Sequence, residues 1–186
     1  MLESIISGLL NDQVGKIAEK NGIDPVLAKS IASKVLPTII SSIWSKTQDP
    51  ASAEKLLAAA STHNEESADD VDMSDGMKIL WHLLNNNQDN IAEQISNNTE
   101  WADKDKTSKI MASLAPLVMA YINKQQQAGE VDASSISTKV AESSSIWDKD
   151  GFAMKMATKM LDENNDWSIT DDLLKKWMDM FFWDKK

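Results

Sequence analysis

Asp162, Asn164 and Asp166 stand at alternate positions, the i, i+2, i+4 spacing by which a calcium loop turns successive side-chain oxygens toward one hard cation. Asp171 and Asp172 follow closely enough to close such a loop. A regular EF-hand then needs glycine at its sixth position for a sharp turn and a bidentate glutamate at its twelfth. Those positions hold Trp167 and Leu173, which excludes a regular EF-hand and leaves only a shorter loop. The same residues also have a purely structural reading. Ser168 caps a helix with Asp171 three residues on, Asp171 and Asp172 favour its first turn, and Asp162 and Asn164 end the helix before it. The structural reading is preferred, because a side chain at a turn that needs positive φ costs roughly 1 kcal/mol. Calcium is thus the one cofactor the sequence leaves open.

A second group carries recognition rather than catalysis. Trp177, Met178, Phe181, Phe182 and Trp183 place large side chains on nearly every side of a short helix. One docked face cannot cover them all, so the segment is expected to meet a protein partner or a second copy of the chain. Packing against the body is the competing reading, and contact with a membrane surface ranks third because the basic face is thin.

Nothing else composes an active site. His63 and His82 are the only histidines, with no serine or carboxylate at a triad-like spacing, and both read as structural or exposed. The absence of cysteine excludes a thiolate zinc site, a cysteine nucleophile and disulfides. Phosphate-cradling glycine loops are missing. The expectation is a protein that is not an enzyme. A net charge of −10 with no arginine among the 19 basic residues disfavours nucleic acid and anionic membranes. Residues 1–10 have Glu3 where a secretory leader would be basic, and no apolar run approaches the ~20 residues of a membrane span, so a cytoplasmic location is expected.

The elements that position these groups read as all-α. Sustained alternation of apolar and polar residues is absent, whereas Leu2, Ile5, Ile6 and Leu9 repeat the spacing of a buried helix face. Leu36, Ile39, Ile40 and Ile43 do the same, as do Met77, Leu80, Trp81 and Leu84. Asp24-Pro25 and Asp49-Pro50 each put an N-cap acid before a proline at the first helical position. Pro37 and Pro116 fall inside helical patterns and predict two kinks.

Those prolines expose a repeat. Ile17-Ala18-Glu19-Lys20, a polar turn and a helix through Leu36-Pro37 parallel Ile91-Ala92-Glu93-Gln94, a longer turn and a helix through Ala115-Pro116. The repeat predicts two similar helical units within residues 1–127, joined by a solvated acidic linker at 62–75. A Ser-rich stretch at 128–145 reads as a flexible connection, and residues 146–186 as an aromatic-rich helical pair.

The order of these signals resembles the YidB-like family of bacterial proteins of unknown function. The resemblance rests on MLESIISGLL at the start, Gly22-Ile23-Asp24-Pro25, Val35-Leu36-Pro37 and Leu114-Ala115-Pro116-Leu117-Val118. A tail of the family's D-x-[DN]-x-D-G-S type is matched by Asp162 to Leu173, except that Trp167 replaces the glycine. The resemblance implies a multihelical fold and a bacterial origin, and no established activity.

Overall fold

Aspartates just ahead of helical residues set the starts of the fold. The computed structural model describes residues 12–64 and 67–139, and these form helices with no strand among them. The helices described over their full length are α1 (Val14–Asn21), α2 (Pro25–Lys46), α3 (Pro50–Ala60), α4 (Met73–Leu83), α5 (Gln88–Asn97) and α6 (Lys104–Gln127). One 3₁₀ turn, Ala68–Asp70, precedes α4. The all-α class read from the sequence holds.

The expected caps are in place. Asp24 Oδ1 accepts from the amides of Val26 and Leu27 at 3.0 Å each, and Asp49 Oδ2 accepts from Ser52 at 2.9 Å. Asp72 and Asp103 do the same for α4 and α6, accepting from Ser74 and Lys106 at 2.8 Å each. Each satisfies an amide that the helix itself leaves unpaired. At the other end of α1, Gly22 takes φ +63, and the amides of Gly22 and Ile23 reach back to the Glu19 and Ala18 carbonyls, a closure that suits a residue without Cβ.

Helix α6 is the hub, touching every other helix and most extensively α4. Its buried run from Ile110 to Met119 faces Ile31, Leu36, Ile39 and Ile43 of α2, Leu80 and Leu84 around α4, and Ile91 and Ile95 of α5 within one apolar core. Removing this aliphatic surface from water is the main drive to fold, about 25 cal/mol per Å². Helix α2 lies deep in that core and is long and apolar enough to cross a membrane by length and composition alone. This amends the expectation that no segment approaches a span; here the apolar surface of α2 is spent on its neighbours, and most of the segment is buried.

Both long helices run unbroken through their prolines. Pro37 follows the Asp24 cap at the same separation as Pro116 follows Asp103, and Ile31 and Ile110 occupy matching buried positions. Pro116 has no N–H for the carbonyl four residues earlier, that of Ala112. Gly76 of α4 packs there: a Cβ added to it would fall on the Ala112 oxygen and lie 2.7 Å from the carbonyl carbon. The absence of a side chain at Gly76 lets α4 approach the backbone of α6.

The acidic stretch 62–75, expected to be a solvated linker, is fastened where it is described. Lys20 Nζ donates to the carbonyls of Ala68, Asp69 and Val71 at 3.2 to 3.3 Å. Lys16 reaches the Ser67 hydroxyl at 2.9 Å and the Asp69 carboxylate at 3.5 Å, and Gln13 accepts from the Ala68 amide at 2.8 Å. Gln13, Lys16 and Lys20 lie on one face of α1 by helical spacing. Ala68 and Val71 are buried beneath them. Backbone carbonyls, small apolar groups and the Ser67 and Asp69 side chains make the attachment.

Residues 128–139, the described part of the Ser-rich stretch, fold back on the body. Asp132 Oδ1 accepts from the Ser134 and Ser135 amides at 2.9 and 2.8 Å, Ile136 is 1% exposed, and Gln48 Nε2 donates to the Ser137 hydroxyl at 2.9 Å. Ile136, with the partly buried Val131 and Ala133 packed beside the core, thus anchors the segment.

Candidate functional site

The cation-loop residues Asp162, Asn164, Asp166, Asp171 and Asp172 lie outside the described residues, as do Trp177, Met178, Phe181, Phe182 and Trp183. Among the described residues no cluster of three or more histidines and acids could hold a metal. What the body offers must therefore be built from its own surface and its few buried polar groups.

The histidines part company. His63 is buried at 8% exposure, with Nδ1 3.6 Å from the Asp75 carboxylate. Its backbone oxygen accepts from Asn123 Nδ2 at 2.7 Å, and the same amide donates to Asn64 Oδ1 at 3.0 Å. Gln127 Nε2 completes the knot by donating to Asn123 Oδ1 at 3.2 Å. Asn123, fully inside α6, thereby fixes the segment that follows α3 to the end of the hub helix. His82 is exposed and meets the ring of Trp81 edge-on, 4.8 Å between centroids. Its position makes it a surface contact of an aromatic neighbour.

The described carboxylates whose titration is displaced are all shifted downward. Hydrogen bonds from Ser52 hold Asp49 below the usual carboxylate range, and those from Ser74 do so for Asp72. The Lys106 ammonium and amide lower Asp103, and the Ser134 and Ser135 hydroxyls take Asp132 to about 2. Each is a capping or turn acid stabilised in its charged form, whereas a general acid needs a raised value. Tyr121 is pushed up to about 12, mainly by burial and further by the negative charge of Glu130.

The described surface stands out for its aromatics. Trp81 is 48% exposed on α4, and Trp101 is 81% exposed between α5 and α6. Trp101 sits at φ +64, a region that disfavours side chains with a Cβ by about 1 kcal/mol or more. The loop around it is pinned from both sides. Buried Thr99 donates its hydroxyl to Ile95 O at 2.8 Å, the Ala102 amide returns to Thr99 O at 3.1 Å, and Lys34 of α2 donates to Asn98 O at 2.6 Å. Chemically this is an indole facing solvent from a pinned backbone, able to bury apolar area or stack on a cation when a partner arrives. Sequence patterning passed over Trp101 because it belongs to no helical face. Its signal was positional: a tryptophan among turn-forming Asn97, Asn98 and Thr99 just ahead of the Asp103 cap.

A family model described as a bacterial protein of unknown function, DUF937, matches residues 3–125, which takes in α1 to α5 and nearly all of α6. No curated protein and no solved structure matches the chain.

Proposed function

The chain belongs to the DUF937 family of bacterial proteins of unknown function, and on that premise we propose that it is a non-catalytic helical interaction protein. Its body serves as a scaffold, and its aromatic side chains take up a protein partner or a second copy of the chain. The observation that carries this reading is Trp101, 81% exposed on a pinned loop in a disfavoured backbone conformation. Local strain of that kind persists where the surroundings enforce it and is common at binding sites. Tryptophan is also the residue type most enriched at interface hot spots.

The narrower YidB-like assignment belongs to the same reading, as does the division into two similar helical units. Both draw support from the matched order of Asp24, Ile31 and Pro37 with Asp103, Ile110 and Pro116. The aromatic segment of Trp177, Met178, Phe181, Phe182 and Trp183 is proposed as a second contact surface on composition. The charge of −10 and the absence of arginine favour a protein partner over nucleic acid, and a cytoplasmic setting accompanies the reading. A second function, a calcium response, is favoured by the alternate spacing of Asp162, Asn164 and Asp166.

Size-exclusion chromatography with light scattering on the full chain tests the leading reading. The wild type is expected to self-associate or to retain a protein partner, and Trp101→Ala, or Trp177→Ala with Trp183→Ala, to weaken that association while the helical circular dichroism stays unchanged. Identical masses and identical partners for all variants refute it. Calorimetric titration with Ca²⁺ separates the second reading, which requires heat of binding that Asp162→Ala abolishes.

A further inference from the structure

The sequence holds a single Asn-Gly pair, Asn21-Gly22, and the fold places it at the end of α1. In such a pair the backbone nitrogen following asparagine is unhindered by a side chain and can attack the carboxamide carbon. Here both reacting groups are engaged. Asn21 Nδ2 donates to Ile17 O at 2.8 Å, and the Gly22 amide is occupied by Glu19 O at 3.2 Å in the left-handed cap. Asn21 is the last helical residue, and the five-membered ring closes only when its backbone swings out of helical ψ. Gly22 is exposed, so hydroxide can reach its amide once the cap opens.

We propose that Asn21 is a fold-gated deamidation site, closed while α1 is capped and reactive when its last turn opens. In the open state, base removes the Gly22 amide proton and the nitrogen forms a bond to Asn21 Cγ. The Cγ–Nδ2 bond breaks, and the amide leaves as ammonia with the proton returned to it. Water then opens the cyclic imide at either carbonyl, giving aspartate or isoaspartate with no change of oxidation state. Both products oppose reclosure. A carboxylate replaces the donor facing Ile17 O and adds negative charge at the negative end of the helix dipole. Isoaspartate also lengthens the main chain by a methylene, displacing the Gly22 and Ile23 amides from their acceptors. Lys20, which grips the carbonyls of Ala68, Asp69 and Val71, is the adjacent residue. Modification would therefore record, irreversibly, that the last turn of α1 had opened.

The full chain is incubated at mildly alkaline pH with and without denaturing urea. The Asn21 peptide is then followed by mass spectrometry for the change from amide to acid. The native protein is expected to react more slowly than the urea-unfolded one by at least about tenfold, because reaction requires local opening. Lys20→Ala should raise the native rate and leave the rate in urea unchanged. Equal rates for the wild type in both conditions overturn the gate, absence of reaction in urea overturns the site, and a native rate unmoved by Lys20→Ala overturns the part given to Lys20 in holding the last turn closed.

Discussion

Adding one methyl group at Gly76 sets two effects against each other. Glycine in a helix is worse than alanine by about 0.8–1 kcal/mol, so Gly76→Ala gains that much from helix propensity. Against this, the new Cβ would fall on the Ala112 carbonyl. Its neighbour is main chain of α6, not the tip of a flexible side chain, so relief requires α4 and α6 to move apart. That contact is the most extensive between helices, and Ile79, Leu80 and Leu83 are buried on the α4 side. Overpacking of this kind costs about 1–3 kcal/mol, and meeting backbone places it at the upper end. The net expectation is a loss of about 1–2 kcal/mol, read as a lower urea midpoint with an unchanged slope. Gly15→Ala is the internal control. Nothing lies within 4 Å of its added Cβ on α1, so that variant should be neutral or more stable by up to about 1 kcal/mol. A Gly76→Ala midpoint at or above the wild type's would refute the close approach of α4 to α6.

Asn123→Ala removes the donor to His63 O while leaving that carbonyl in a buried setting; a loss of about 1–3 kcal/mol is expected by denaturation, and a loss under about 0.5 kcal/mol would refute the role assigned to the knot. Acid should loosen the 128–139 segment. The folded value of Asp132 lies at about 2, below its ordinary 3.8, so its stabilising effect is present above 3.8 and is lost as pH falls through 2. Hydrogen exchange at the Ile136 amide, which donates to Asp132 O, should show protection falling across that window, and Asp132→Asn should flatten the dependence. A variant with the wild-type pH profile would assign the effect to other carboxylates.

Sequence carried the parts of this fold that are written in side-chain type and period. Asp24-Pro25 and Asp49-Pro50 start helices as read, and Leu36, Ile39, Ile40 and Ile43 are all buried. The α4 reading drifted by part of a turn: Leu80 and Leu84 are buried, but Trp81 faces outward because the inner face runs through Gly76, Ile79 and Leu83. Attachment of the 67–71 segment was hidden because it is made mostly by main-chain carbonyls and amides, which every sequence possesses. Ile136 was obscured for a different reason: it and its apolar neighbours Val131 and Ala133 show no sustained helical or strand period. Of the candidate surface, Trp101 could be located only once the loop geometry was known, since one exposed indole leaves no pattern.

The helix against which all the others rest, α6, is also the last of the described six along the chain. During synthesis α1 can pair with α2, but the aliphatic faces of α3, α4 and α5 must wait, each lacking its main counterpart until residues 104–127 have left the ribosome. Consolidation is late and long-range, which slows folding and leaves greasy surface open to wrong pairings. A ribosome stalled before α6 should display a nascent chain that is helical in parts yet readily degraded by protease, with resistance arriving abruptly once that final rod emerges.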